Sequence, residues 1–232
     1  MVNVAANYQN IRARIGEAAA RVGRAPNSVK LLAAAKSQSV EAIGAAIAGG
    51  VALIGENYVQ EAQEKKARLS EPAEWHMIGH LQRNKAKLAV QLFDLIESLD
   101  GIALARELDK EGRSRGKRVR VFVEVNVAGE ESKSGIAKSA VASLMEGVAE
   151  LSHLRIEGLM TVPPFRENLE DVRPYFRELR ELKEQLNALG LPNVELKELS
   201  MGMTHDYTVA IEEGATIVRV GTALFGPRNP KP

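Results

Sequence analysis

The sequence contains no cysteine among its 232 residues. This absence excludes disulfide bonds, thiolate metal sites and thiol nucleophiles, and it is compatible with a reducing compartment. An excess of charge of one sign is also lacking, because 31 Lys and Arg residues face 30 Asp and Glu residues. The overall charge therefore does not indicate a nucleic acid or an acidic surface as a partner.

Long apolar runs are absent as well. Residues 1–12 lack the basic region and the apolar stretch of a secretory signal peptide. No segment approaches the roughly 20 consecutive apolar residues that a membrane-spanning helix needs. The basic segment 113–120 has no interleaved aromatic side chains, which disfavours a nucleic-acid interface. We therefore expect a cytoplasmic protein with neither a membrane nor a nucleic acid as partner.

Short apolar runs alternate with helical patterns along the chain. Hydrophobic residues make up 45% and charged residues 26%, a balance typical of a globular protein with a core. The spacing of Ile11, Ile15 and Ala18 predicts an amphipathic helix ahead of the first strand. The apolar runs that predict strands are Leu31–Ala35, Val51–Gly55, Trp75–Ile78, Leu92–Ser98, Val119–Val127, Ile156–Val162, Val194–Ser200 and Ile217–Val220.

The alternation of these runs with helices predicts a parallel sheet with right-handed crossovers. About eight strand–helix repeats are the number that closes a (β/α)8 barrel. An open doubly wound sheet is the main alternative, but such sheets usually carry a glycine-rich first turn. Here residues 36–39, Lys-Ser-Gln-Ser, follow the first strand without a glycine. We therefore predict one (β/α)8 TIM-type barrel domain over residues 1–232, with the extra helix at its N-terminus.

Lys36 directly follows the first apolar run, at the strand end where barrels place their functional residues. Desolvation at the barrel mouth favours a neutral amine, which can attack a carbonyl carbon to form a Schiff base. A lysine that only reaches past the strand to solvent is the structural alternative. On Lys36 alone, that alternative is favoured.

Two later strand ends carry small and hydroxyl-bearing residues. They are Ser200-Met201-Gly202 and Gly221-Thr222. Small residues let backbone N–H groups approach a phosphate, and barrels often build a phosphate site from their last two strand ends. The alternative is that both glycines only form tight turns. Beside Lys36, the two turns together favour a phosphate-binding site.

The histidines do not form an evident metal site. His76 and His80 are four residues apart, but they fall on a predicted strand and turn without a third ligand. We expect structural or supporting roles for both, and no metal. His205 begins the helix after the turn at Ser200, where it either contacts a phosphate or faces solvent.

Several ordered motifs resemble those of the pyridoxal phosphate (PLP) homeostasis protein family, and the match extends over essentially the whole chain. This family is similar to the N-terminal barrel of bacterial alanine racemase, which implies the same fold here. The motifs are Leu32–Lys36, Gly55–Glu61, Trp75–Lys85, Ser132–Ile136, Gly158–Thr161, Leu199–Met203 and Arg219–Gly226.

The resemblance implies how a PLP ring would be held. Lys36 carries PLP as a Schiff base, Asn57 packs near the ring, and Arg219 faces the pyridine nitrogen. A guanidinium cannot accept a proton, so this nitrogen stays unprotonated and the ring is a weak electron sink. From the residues alone, Arg219 could equally pair with a carboxylate of a helix.

The resemblance also implies a phosphate site. Ser200, Gly221 and Thr222 hold the phosphate, and the backbone of Met201 and Gly202 assists. Some positions depart from the common family pattern, without removing a group that PLP binding needs. They are Ala35, His80, Arg83 and Thr204–Tyr207, of which His80 adds a titratable group near the barrel mouth.

The expected function is PLP homeostasis. Members of the family are thought to buffer or deliver PLP and to influence amino-acid and keto-acid balance, without an established catalytic turnover. PLP and PLP-dependent apo-enzymes are therefore the expected partners. We expect a monomer, because no large apolar stripe is left unassigned.

Two enzymatic alternatives stay open. A PLP-dependent amino-acid racemase would use the same Lys36, but alanine racemase takes its second base from a C-terminal domain, and this sequence stops at Pro232. A Schiff-base aldolase would use the phosphate site for a sugar phosphate, and it would show no coloured species after purification.

Overall fold

The computed structural model describes residues 2–130 and 133–227. Ser132, which belongs to one of the motifs, lies outside the described residues. The strands in chain order are β1 (Lys30–Ala34), β2 (Leu53–Glu56), β3 (Glu74–Met77), β4 (Leu95–Leu99), β5 (Val119–Asn126), β6 (Ile136–Ala137), β7 (Leu154–Met160), β8 (Val194–Met203) and β9 (Ile217–Val220).

Helices separate the strands except β5 and β6, and single 3₁₀ turns lie in four of the connections of the described residues. In the described part of the chain, no helix combines the length and the apolar character needed to cross a membrane. The helices are α1 (Val4–Arg21), α2 (Val40–Ala48), α3 (Val59–Lys66), α4 (Ala86–Leu92), α5 (Ile102–Ser114), α6 (Val141–Ala149), α7 (Arg173–Asn187), α8 (Tyr207–Glu212) and α9 (Thr222–Phe225).

Eight of the strands close into a parallel barrel. β1 pairs with β2 on one side and with β9 on the other, and the pairing of β4 with β5 closes the ring. The short β6 pairs with the end of β5 at the rim. α1 precedes the first strand and packs against α8, α9 and α2. The predicted (β/α)8 barrel with an additional N-terminal helix is therefore confirmed.

The strand boundaries agree with the apolar runs to within a few residues. Ile217–Val220 is reproduced as predicted, whereas the predicted run Leu92–Ser98 begins too early because Leu92 is the last residue of α4. β8 continues to Met203, beyond its predicted end at Ser200. Apolar runs indicate which side chains are buried, but they do not indicate where backbone pairing stops.

The apolar core has two layers. The larger layer lies between the strands and the surrounding helices, and a smaller cluster fills part of the barrel interior. Along β1 the side chains alternate, so that Leu32 and Ala34 point into the barrel. Lys36 continues this inward series and lies at the mouth of the barrel. The interior cluster consists of Leu32, Leu53, Leu95, Phe122, Met160 and Ile217.

Candidate functional site

A cavity of about 470 Å³ lies at the C-terminal ends of the barrel strands. This is the end of a (β/α)8 barrel at which the loops after the strands form functional sites. Five of the eight predicted cofactor-binding residues line the cavity, together with His80. The predicted residues that line it are Lys36, Asn57, Arg219, Gly221 and Thr222.

The turn that carries Lys36 is held by α3. The next residue, Ser37, has a φ of +61°, and its backbone N–H donates to Glu61 Oε2 at 3.2 Å. The ammonium of Lys65 donates to the carbonyl oxygen of Ala35 at 2.9 Å. Contacts from α3 thus fix the backbone on both sides of Lys36.

Lys65 itself lies among carboxylates. Its Nζ is 2.6 Å from Glu56 Oε1 and 3.1 Å from Glu61 Oε2. Burial raises the pKa of Glu56, and the adjacent ammonium of Lys65 opposes this effect. The side chain of Glu56 is completely buried, so this ion pair is part of the wall that supports the cavity.

Asn57 is placed by a close approach of two strand ends. A Cβ atom at Gly79 would lie 2.5 Å from the carbonyl oxygen of Asn57, so the neighbouring turn requires glycine at this position. Asn57 lines the cavity, and within the described residues its Oδ1 is buried without a hydrogen-bond partner. A buried amide oxygen of this kind is available to a donor on a ligand.

The turns after β8 and β9 meet at the cavity. The backbone N–H of Ala223 donates to Thr204 Oγ1 at 3.5 Å, which joins the two turns. Gly221, Thr222 and Thr204 all line the cavity. A Cβ atom at Gly221 would make only ordinary contacts, the shortest being 3.4 Å to the carbonyl oxygen of Ala34.

Ser200, Met201 and Gly202 are not among the residues that line the cavity. Ser200 is fully buried in the barrel, and Met201 packs in the apolar layer beneath the helices. Gly202 has a φ of +92°, and a Cβ atom there would lie 2.6 Å from the Cβ of Ala210. The positive φ and the close contact agree with the interpretation of Gly202 as a tight-turn residue. β8 runs past Ser200 and reaches the cavity rim at Met203.

Arg219 points into the barrel, and its side chain is nearly inaccessible to solvent. Its Nη1 donates to the carbonyl oxygen of Ser200 at 2.6 Å and to Ser200 Oγ at 2.8 Å. Its Nη2 donates to the carbonyl oxygen of Thr161 at 2.7 Å. These bonds fix the guanidinium in the cavity wall, so the alternative of a pair with a helix carboxylate is not realised.

Glu124 is a cavity residue that the sequence interpretation missed. It is 5% exposed, and its Oε2 has no hydrogen-bond partner among the described residues. Burial raises its pKa to about 7, although Arg219 opposes the shift. The inward alternation of Phe122, Glu124 and Asn126 on β5 is the signal that could have identified it.

Further side chains complete the cavity wall. His80 is exposed, and its Nδ1 lies 3.1 Å from Asp100 Oδ2. His205 also lines the cavity, and its ring centroid is 4.9 Å from that of Phe165. Lys133 and Ser134 line the wall as well, although the sequence indicated them only as part of a motif. In the part of the chain that is described, no group of His, Asp and Glu side chains is arranged to hold a metal ion.

Comparisons with known proteins agree with this geometry. A family model of the alanine racemase N-terminal domain matches residues 3–229. The pyridoxal phosphate homeostasis protein of Aquifex aeolicus is 46% identical over 229 residues, which cover 98% of this chain and 100% of that protein.

Solved structures with the same fold include a relative in the same size range and a larger enzyme. PipY of Synechococcus elongatus, solved with PLP bound, has a TM-score of 0.84 and 33% identity, with 96% of this chain and 100% of that chain covered. Alanine racemase of Clostridium difficile has a TM-score of 0.77 at 14% identity, a likeness of fold alone. That match covers 99% of this chain and 57% of the racemase. The chain belongs to the pyridoxal phosphate homeostasis protein family, within the larger family of the alanine racemase N-terminal domain.

Proposed function

We propose that this protein binds PLP as a Schiff base on Lys36 and acts in PLP homeostasis. The observation that carries the proposal is the presence of Lys36, Arg219 and the turn Gly221–Thr222 in one cavity of about 470 Å³. Support comes from the relatives, since the Aquifex aeolicus protein bears the name of a PLP homeostasis protein and PipY was solved with PLP bound.

The residues of the cavity fit the functional groups of PLP. The Lys36 amine can form a C=N bond with the aldehyde carbon, and the aldehyde oxygen leaves as water. The backbone at Gly221 and the hydroxyls of Thr222 and Thr204 suit the phosphate. When bound, PLP supplies an electron-accepting ring conjugated to the amine at its aldehyde carbon.

Arg219 favours a carrier over a fast catalyst. Its guanidinium donates hydrogen bonds and cannot accept a proton, so a ring nitrogen that faces it stays unprotonated. An unprotonated ring would withdraw electrons weakly and give little stabilisation to a carbanion at the carbon next to the bound nitrogen. Buffering of PLP and its delivery to apo-enzymes fit this property better than turnover does, and an effect on amino-acid and keto-acid balance would follow from delivery.

A PLP-dependent racemase is the second candidate, because the barrel is shared with alanine racemase. Racemisation needs an acid or base on each face of the bound amino acid. Loss of optical activity in L-alanine at high protein concentration tests it. Turnover at ordinary enzymatic rates would replace the carrier proposal.

The direct test of PLP binding is spectroscopic. The purified protein incubated with PLP is expected to develop a visible absorption band, and Lys36→Ala is expected to lack it. Lys110→Ala, on the exposed face of α5, is the matched control and should bind like the parent protein. A parent protein that takes up no PLP would overturn the proposal, and so would a Lys36→Ala variant that keeps the band.

Delivery has a separate test. The PLP-loaded protein is mixed with the apo-form of a PLP-dependent enzyme in the presence of a reagent that captures free PLP. Recovery of enzyme activity faster than with the same amount of free PLP supports delivery, whereas equal rates contradict it. Cytoplasmic location and a monomeric state belong to the same proposal, and cell fractionation and light scattering check them.

A further inference from the structure

A series of polar side chains runs through the barrel interior, away from the cavity. We call Arg219, Ser200, Glu97, His76, Glu74 and Arg120 the interior network. Its members come from five strands, and consecutive members contact each other. It begins at Arg219 in the cavity wall and reaches Arg120, which is 41% exposed near the N-terminal end of the barrel and also pairs with Glu157.

The central contacts of the interior network are short. Ser200 Oγ donates to Glu97 Oε2 at 2.5 Å, and His76 Nδ1 lies 2.6 Å from Glu97 Oε1. Ser200 and Glu97 are completely buried, and His76 is 2% exposed. Hydrogen bonds to a charged group in such a dry environment are stronger than hydrogen bonds between neutral groups.

The charges along the network alternate. Burial by itself would lower the pKa of His76, but the carboxylates of Glu74 and Glu97 outweigh it and raise this pKa to about 9. His76 and Arg120 in turn hold the pKa of Glu74 at about 2. The contact of His76 Nε2 with Glu74 Oε1, at 3.3 Å, is an ion pair without hydrogen-bond alignment. Glu97 therefore lies between an imidazolium and, through Ser200, the guanidinium of Arg219.

This arrangement fixes the direction of the Ser200 hydroxyl. Since the Ser200 proton is directed to Glu97, the oxygen lone pairs of Ser200 are left to accept from Arg219 Nη1. The same nitrogen also donates to the Ser200 carbonyl oxygen, so the guanidinium has one defined orientation. Without the Glu97 carboxylate, the hydroxyl could rotate and lose this acceptor geometry.

We propose that Glu97 and His76 are positioning residues, which act through Ser200 to hold the Arg219 guanidinium against the ring of bound PLP. The inference rests on the proposed function. It gives Ser200 a place beneath the ring instead of a contact with the phosphate. A network that only stabilises the barrel would affect unfolding and leave Arg219 unchanged.

The first arm of the test needs no cofactor. The ¹⁵N resonance of the Arg219 Nε–H group is measured in the ligand-free protein and assigned by its loss in Arg219→Lys. Glu97→Gln, His76→Gln and Ser200→Ala are each expected to shift or broaden this resonance. Glu198→Gln is the control, because Glu198 lies on the same strand as Ser200 and pairs with Lys30, and its electrostatic contact with the network is at Arg120, the member farthest from Arg219. A resonance that moves in Ser200→Ala but stays in place in both Glu97→Gln and His76→Gln would overturn the inference, and so would one unmoved by all three substitutions.

The second arm measures PLP binding in a double-mutant cycle. Glu97→Gln is expected to raise the dissociation constant for PLP by about three- to tenfold and to shift the visible band. In a Ser200→Ala background the same substitution should change the constant by less than about twofold, because the connection to Arg219 is already broken. Independent, additive effects of the two substitutions would contradict the inference.

The two arms separate the inference from the proposed function. If the parent protein takes up no PLP, the proposed function fails, while the Arg219 resonance still decides whether Glu97 and His76 position the guanidinium. Glu97→Gln and His76→Gln probe the same link separately, so either one keeps the test decisive if the other does not fold, and Ser200→Ala gives the resonance change that a broken link produces. Its unfolding midpoint, compared with that of Glu198→Gln, accounts for general loss of stability.

Discussion

The ammonium of Lys65 donates to the carbonyl oxygen of Ala35 at 2.9 Å. Ala35 immediately precedes Lys36, so a side chain of α3 holds the end of β1 at the residue before the candidate Schiff-base lysine. The same ammonium neutralises the buried carboxylate of Glu56. One buried cation therefore supports both the barrel wall and the position of Lys36.

Substitution of Lys65 is expected to destabilise the barrel wall and to loosen the strand end that carries Lys36. Lys65→Met leaves the fully buried Glu56 carboxylate without its partner, a change that costs about 3–5 kcal/mol of unfolding free energy. The loss should be smaller at acidic pH, where Glu56 becomes protonated. Denaturant unfolding at two pH values checks this. Arg68→Met, which breaks an exposed pair with Glu41 of α2, is the control and should leave stability unchanged.

Glu124 is expected to make stability depend on pH below neutrality. Its folded-state pKa of about 7 lies above the ordinary value, so the native state keeps a proton that the unfolded chain loses. Between roughly pH 4.3 and 7, each unit of rising pH therefore removes up to about 1.4 kcal/mol of stability. Glu124→Gln lacks this loss. The variant should gain stability relative to the parent protein from pH 5 to pH 7.5, and a constant difference would contradict the assignment.

His76 should act in a higher pH range. Its pKa of about 9 in the folded protein exceeds the ordinary value near 6.5. Its stabilising contribution is complete below about pH 6.5 and is lost as pH rises through 9. His76→Gln is expected to flatten the decline of unfolding free energy between pH 6.5 and 9. If parent and variant decline in parallel, His76 is not charged in the folded barrel.

Gly79 should tolerate no side chain. Gly79→Ala places a Cβ atom 2.5 Å from the carbonyl oxygen of Asn57, so one of the two turns must move. We expect a lower unfolding midpoint and weaker PLP binding, since Asn57 lines the cavity. Gly101→Ala is the control, because among the described residues no heavy atom beyond its chain neighbours lies within 4 Å of the added carbon. Equal behaviour of the two variants would show that the Asn57 turn is adaptable.

The sequence predicted the fold well because each of the eight barrel strands carries an apolar run and a helix follows before the next barrel strand. The inward position of Lys36 also followed from the strand it terminates. The apolar pattern did not indicate the polar interior. Glu97, His76 and Glu124 interrupt apolar runs, and inside a closed barrel both faces of a strand are buried.

The partners of these polar residues come from distant parts of the chain. Ser200 and Glu97 are separated by 103 positions, so no local spacing could predict their hydrogen bond. The end of a strand is equally hard to predict, and the sequence placed the end of β8 at Ser200. The structure extends β8 to Met203 and brings Thr204 to the cavity instead.

Chemical trapping is the most direct test of whether Lys36 holds PLP. The PLP-loaded protein is reduced with borohydride, digested and examined by mass spectrometry. Lys133 also lines the cavity and is the alternative amine within it. We expect one modified peptide, which carries the pyridoxyl group on Lys36 and is absent from Lys36→Ala. Modification of Lys133, or a label spread over surface lysines, would contradict it.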